Sequence, residues 1–350
     1  MLTTTTIKDN FNQNILLLFI FLDKHHLIAN MVSNKELEFL RTKGDLSADE
    51  FVNLYFSDVD KREKLNIELK KLAKNSDWNL FLTQIPEASF FDLEIKKIIP
   101  PSQREIENAK KFFKDKEQSI LQLLGLLSLP YCYAAADGAK VLYLTERMYK
   151  DVQKRLEETA VFINAMMQKD ALEESGAGKT QAFKVRVMHA AARFYLKKQD
   201  WDYSLGYPVN QEDMAGTNLS FSLIVIRGLR KMGFSVSYQE QMDYIKYWSY
   251  VGALLGVNPQ LLPQNGNDAR EIDKKISERQ FKSSPEGKHL TKSLLDCFYS
   301  LNDQKIMKND EIAGYMRFLL GDEIANIIDL PQTFFPESKK LLLKLKTTFS

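Results

Sequence analysis

From Ser47 to Ile328 the apolar residues of this chain recur at helix spacing, and glycine and proline fall mostly between the periodic segments. Strand-like alternation of apolar and polar residues is hard to find, so the pattern predicts an all-α fold. Ser47, followed by Asp49 and Glu50, reads as an N-cap with first-turn acids ahead of Phe51, Leu54 and Tyr55. Ser102 opens a segment in which Ile106, Ala109, Phe112 and Phe113 lead into ILQLLGLLSL, predicted as one helix running into the interior and ending at Pro130. Further helices are predicted at 144–168, 181–198, 211–232, 238–255, 268–280, 288–301 and 311–328. No repeat period and no linker rich in Pro, Gly or Ser divides the 350 residues. The expectation is a single large helical domain: a leader (1–30), an N-terminal helical extension (31–130), the principal domain (131–335) and a C-terminal docking helix (336–350).

Composition removes several function classes. Lys+Arg 48 against Asp+Glu 46 gives a formal charge of +2, too small a field to draw in nucleic acid. Cys132 and Cys297 are the two cysteines, too few for a disulfide framework or a Cys-rich metal site, and they point to a reducing, cytoplasmic location. The apolar run ILLLFIFL (15–22) is far short of the roughly 20 residues that span a bilayer. Its flanks do not suit a signal peptide, so the leader is expected to come from an upstream start read in error, with Met31 opening the domain. The C-terminal ESKKLLLKLK (337–346) mixes lysines with leucines; docking on the domain is expected, with weak peripheral membrane contact as the alternative.

Four segments carry candidate chemistry. Gly176-Ala177-Gly178-Lys179-Thr180 ends like a phosphate-binding loop, but Glu173 stands where the first glycine belongs and a helix precedes it, so a helix–helix connection is expected. In and just after KVRVMHAAAR (184–193), Val185, Met188, Ala192, Tyr195 and Leu196 recur at helix spacing, with His189 in the midst of that apolar stripe. The imidazole is either a core group bonded to a backbone carbonyl or a ligand, and the small Ala190, Ala191 and Ala192 leave room for something flat such as haem. Arg193, one turn on, could then pair with a propionate. Arg155 and Thr159 share a helix face and either converge on a pocket or form a surface pair. Glu157 and Glu158 point about 100° apart and are not read as a catalytic pair. Asn210 suits an N-cap, with Glu212 and Asp213 favouring the helix dipole. Thr217 and Ser220 are read as hydroxyls on an interior helix, and Gly252 and Gly256 as packing glycines.

KVRVMHAAAR (184–193), WDYSLGYPVNQEDMAGTNLSFS (201–222) and YIKYWSYVGALLGVNPQLLP (244–263), in this order, resemble the family of the bacterial rubber oxygenases and the fungal MpaB-type oxygenases. The likeness covers roughly 144–263 and continues through MRFLLGDEIANIIDLP (316–331). It implies a b-type haem in a globin-like helical core, His189 as the proximal iron ligand, and O2 chemistry on an apolar or unsaturated small molecule. Arg155, Thr159 and Arg193 match family positions near the haem. The family's lysine before that threonine corresponds to Glu158, and its glutamate twenty positions earlier, taken as a base in polyene cleavage, corresponds to Ala139; Asp137 lies close by. The resemblance therefore makes His189 the metal ligand, Arg193, Arg155 and Thr159 haem-binding residues, and Arg155, Thr159 and Glu158 the candidate catalytic set. A haem-binding or sensing protein without turnover is the alternative, and a helical protein without haem is the third possibility. A buried Glu158 would need a raised pKa or a partner such as Arg155; otherwise it faces solvent. His289 is expected in a polar connection, and His25 and His26 in the leader.

Overall fold

A computed structural model describes residues 32–145, 150–302 and 308–339; among them no strand occurs, only one isolated bridge between Ala135 and Phe281. The leader lies outside the described residues, as does the C-terminal segment beyond Lys339. An N-terminal layer comprises α1 (Asn34–Arg41), α2 (Leu46–Phe56), α3 (Val59–Lys71), α4 (Trp78–Gln84) and α5 (Ser89–Ile95). The chain then enters the interior through α6 (Gln103–Asp115), α7 (Glu117–Leu123), a π-helical turn (Leu124–Ser128), α8 (Leu129–Tyr133) and α9 (Ala136–Leu144). The remaining body is α10 (Val152–Met167), α11 (Gly178–Lys197), α12 (Gln211–Phe221), α13 (Leu223–Met232) and α14 (Tyr238–Leu254), followed by α15 (Gly266–Gln280), α16 (Pro285–Leu301), α17 (Asn309–Leu320) and α18 (Asp322–Ile327).

Eight of these eighteen helices begin where a short polar side chain accepts from a free backbone N–H. Ser102, Asn210 and Ser237 cap α6, α12 and α14 in this way. The cap of α2 is Asp45 rather than Ser47, because the Asp45 carboxylate reaches the Ala48 N–H and leaves Ser47 inside the first turn.

Four predicted helices are broken. In the 144–168 segment Leu144 ends α9, the chain bends at Asp151 and α10 begins at Val152. The segment from Ser102 stops at Lys116 and resumes as α7; farther on, the Leu129 N–H bonds Leu124 O, five residues back. Pro130 has no N–H for an ordinary helical bond, and the wider turn absorbs the change of register. The 211–232 helix divides at Ser222, whose hydroxyl donates to the Asn218 carbonyl. The 311–328 helix divides at Gly321, where φ is +89°.

One contiguous apolar core runs from Val32 to Phe335, so the N-terminal extension shares its interior with the main body. Phe51, Trp78, Phe81 and Phe91 surround Phe183 of α11 with ring centroids 5.0–5.7 Å apart. Each such buried ring contributes roughly 1.5–3 kcal/mol by removal from water. On the opposite side α6 lies against α14 through Phe112 and Tyr244, reinforced by Lys246 and Glu105 at 2.5 Å. The helix carrying His189 is thus buried beneath the N-terminal layer. Of the expected C-terminal docking helix, only 336–339 are described; there Lys339 pairs with Glu311 of α17 at 2.6 Å. No helix among the described residues is long and apolar enough to cross a membrane.

Candidate functional site

The site is built on α10 and α11, which pack against each other. Helix α11 starts at Gly178, whose N–H donates to Ala171 O. The phosphate-loop lookalike is therefore a helix start preceded by turns, and its Lys179 pairs with Asp92. Along α11, Arg186 and Arg193 are seven residues apart and bracket His189. Arg186 donates to both oxygens of Asp45 at 2.6 and 2.8 Å, and also pairs with Glu94. Arg193, with no exposed side-chain surface, donates through Nε to Asp49 at 2.5 Å and through Nη1 to the Val209 carbonyl.

His189 keeps some accessible surface, but its Nδ1 is enclosed and has no hydrogen-bond partner. No backbone carbonyl serves that nitrogen, as a satisfied core histidine would require. Burial, aided by the Arg193 charge, lowers the imidazole pKa to about 4, so the ring is neutral near pH 7. A neutral imidazole is the form that binds a metal.

On α10, Arg155 donates from Nη1 to Glu158 at 2.6 Å, and its Nε is buried without a partner. Its Nη1 also lies 3.6 Å from Met188 Sδ on α11, next to His189. The Glu158 side chain is 38 % exposed; the arginine partner anticipated for a buried Glu158 is present, although the carboxylate is only partly buried. Thr159 donates to its own helix at Arg155 O, 2.8 Å away. Its side of α10 lines an apolar cleft of about 590 Å³, whose walls include Leu124, Gly125, Leu156, Phe221 and Phe298. A Cβ on Gly125 would lie 3.0 Å from the Phe298 ring, so this glycine keeps the cleft open. His189, Arg155 and Arg193 do not line it.

Tyr133 is a residue that the sequence does not single out. Its ring is buried, its hydroxyl has no partner, and burial pushes its pKa up. Arg155 acts electrostatically on both Tyr133 and His189, which places all three in one neighbourhood. Pro130, three residues before it, is the nearest sequence cue and indicates only a change in helix register. Ala139 is fully buried, while Asp137 is held by Arg41 at 3.1 Å and Lys282 at 3.2 Å.

Capping explains only part of the 208–217 segment. Asn210 caps α12, but Glu212 also binds Arg41, Arg279 and Gln280, and Asp213 binds Arg41 at 3.0 Å. Burial raises Asp213 to about 6 despite the arginine. This network fastens α1 to the body, a long-range partnership that local spacing does not reveal. Thr217 is exposed rather than interior, and both it and Ser220 donate to backbone carbonyls. His289 lies in the first turns of α16, not in a connection, and meets Tyr143 edge-on at 5.3 Å.

The family model described as "ER-bound oxygenase mpaB/B'/Rubber oxygenase, catalytic domain" matches residues 123–337. The rubber oxygenase of Streptomyces sp. (strain K30) is 25 % identical over 229 residues, which are 64 % of this chain and 56 % of that protein. The chain thus spans a little over half the length of this curated relative. The structure of the latex clearing protein LCP in the closed state has the same fold. Its TM-score is 0.70 at 22 % identity, covering 89 % of this chain and 84 % of that one.

Proposed function

Since the chain belongs to the mpaB/B'/rubber oxygenase catalytic-domain family, we propose that it is a haem b-dependent oxygenase acting with O2 on an apolar or unsaturated small molecule, with His189 as proximal iron ligand. The observation that carries this reading is the neutral imidazole of His189, with its enclosed, unpartnered Nδ1, beside the buried and unpartnered Arg155 Nε. Unsatisfied buried polar atoms cost stability, and their gathering at one place fits a polar or metal-bearing group held there. Arg193 Nη2 is likewise buried and unpartnered, which suits an acidic substituent of the same group.

In this reading His189 would ligate the haem iron through an imidazole nitrogen, and Arg155 and Arg193 would pair with the cofactor's carboxylates. Haem, when bound, supplies the electron redistribution that activates oxygen. The chain's own work is binding and exclusion of water. Leu124, Leu156, Phe221 and Phe298 shape an apolar cleft for a hydrocarbon, and Thr159 contributes a hydroxyl at its wall. Glu158 directs its charge to Arg155 and does not line that cleft, whose acidic wall residue is Glu157. The free thiols Cys132 and Cys297 accord with the cytoplasmic location proposed for it.

A second reading, a haem-binding or sensing protein without turnover, is favoured by one observation: Ala139 offers no carboxylate and neighbouring Asp137 is committed to two cations. Absorption spectroscopy of protein made with ample haem tests the first reading, with a Soret band expected for the parent chain. His189→Ala should lose that band and keep its helical circular dichroism; a normal haem content in the variant would sink the assignment. Formation of an oxygenated product from a panel of unsaturated hydrocarbons under O2 separates the two readings.

A further inference from the structure

We propose that a second cleft, between α13, α15 and the α17–α18 turn, binds an amphipathic anion: a carboxylate or phosphate head on an apolar body. The cleft has a volume of about 450 Å³, and His189, Arg155 and Thr159 take no part in it. Four cations line it, Arg227 and Lys231 on α13 and Arg270 and Lys274 on α15. Each pair is spaced i,i+4, so both members share a helix face. Leu127, Ile224, Leu319, Leu320 and Ile324 supply apolar surface between them.

The charge balance favours an anion. Asp273 is the carboxylate that lines the cleft, and it is already engaged by Arg227 at 2.6 Å and by the Tyr131 hydroxyl at 2.7 Å. Arg270 reaches Glu271 at 3.5 Å and Lys274 reaches Glu278 at 3.8 Å, loose contacts in solvent that hold neither cation firmly. Lys231 donates to the Leu319 carbonyl at 2.7 Å, which fixes its ammonium at the rim beside the end of α17. Burial and the nearby Arg227 charge lower the Lys231 pKa, a cost that an arriving anion would offset. An uncharged hydrocarbon would use the leucines and waste the cations, and a bare anion would do the reverse. Leu127 also belongs to the π-helical turn whose Leu124, Gly125 and Leu126 line the Thr159 cleft, so the two clefts share a wall.

Calorimetric titration of the full chain with dodecyl phosphate, below its micelle-forming concentration, tests the proposal. Inorganic phosphate and dodecanol serve as half-ligands. Saturable one-to-one binding of dodecyl phosphate is expected, at least tenfold tighter than either half-ligand and weakening as NaCl is raised. Arg270→Glu combined with Lys274→Glu should weaken it at least tenfold, while Lys64→Glu with Lys70→Glu on exposed positions of α3 should leave it unchanged. Inorganic phosphate binding as tightly as dodecyl phosphate would overturn the role of the apolar surface and assign the site to free phosphate. Equal binding of dodecanol, insensitivity to salt, or an equal loss in both double variants would overturn the role of the cations.

Discussion

Arg193 donates through Nε to Asp49 Oδ1 at 2.5 Å, so the arginine one turn beyond His189 is held by a helix from the N-terminal layer. Asp45, the N-cap of that same helix, holds Arg186, three residues before His189. The two aspartates at the start of α2 thus flank the histidine on both sides through the arginines of α11.

Removing Asp49 leaves the buried Arg193 guanidinium without its carboxylate, whereas Arg186 keeps Glu94 when Asp45 is removed. Asp49→Ala is expected to cost about 3–5 kcal/mol of folding stability, and Asp45→Ala less. Urea denaturation followed by circular dichroism measures this; a loss below about 1 kcal/mol in Asp49→Ala, the level of a surface pair, would contradict it.

The Arg155–Glu158 pair should respond differently, because Glu158 is 38 % exposed. Glu158→Gln is expected to cost less than about 1 kcal/mol. In haem-loaded protein, Glu158→Lys should convert the spectrum to a nitrogen-ligated six-coordinate form. If neither variant alters the haem spectrum or its pH dependence, Glu158 lies outside the distal pocket.

The folded His189 pKa is about 4, against an unfolded value of 6.5. The unfolded chain therefore binds the extra proton first, and the contribution of the neutral ring is fully present above pH 6.5 and lost as pH falls toward 4. Its size is on the order of 3 kcal/mol. Stability of the haem-free protein between about pH 7 and 4 should fall less steeply in His189→Ala than in the parent, and an NMR titration of the imidazole should show no protonation above about pH 5.

Gly125→Ala brings a Cβ to 3.0 Å from the Phe298 ring. Phe298 must shift into the apolar cleft, at a cost of about 1–3 kcal/mol. Binding of an apolar fluorescent probe to the cleft should weaken, with helical content unchanged; undiminished probe binding would show that Gly125 does not set the width.

Local chemistry made much of this protein legible from its sequence. Ser102 and Asn210 cap helices because a cap depends on residues three positions apart. The predicted stripe around His189, by contrast, is not the buried face: Val185, Met188 and Ala192 are half-buried and Tyr195 is exposed, while Phe183, Val187, Ala190 and Phe194 face the core. The ordered segments around that histidine carried the family resemblance. Only the tertiary structure decided the partners. Arg41 and Glu212 are 171 positions apart, and Arg186 and Asp45 are 141 apart; such ion pairs leave no periodic trace. The unpartnered Tyr133 hydroxyl and the two clefts exist only once the helices have packed, because burial and shape belong to the assembled core.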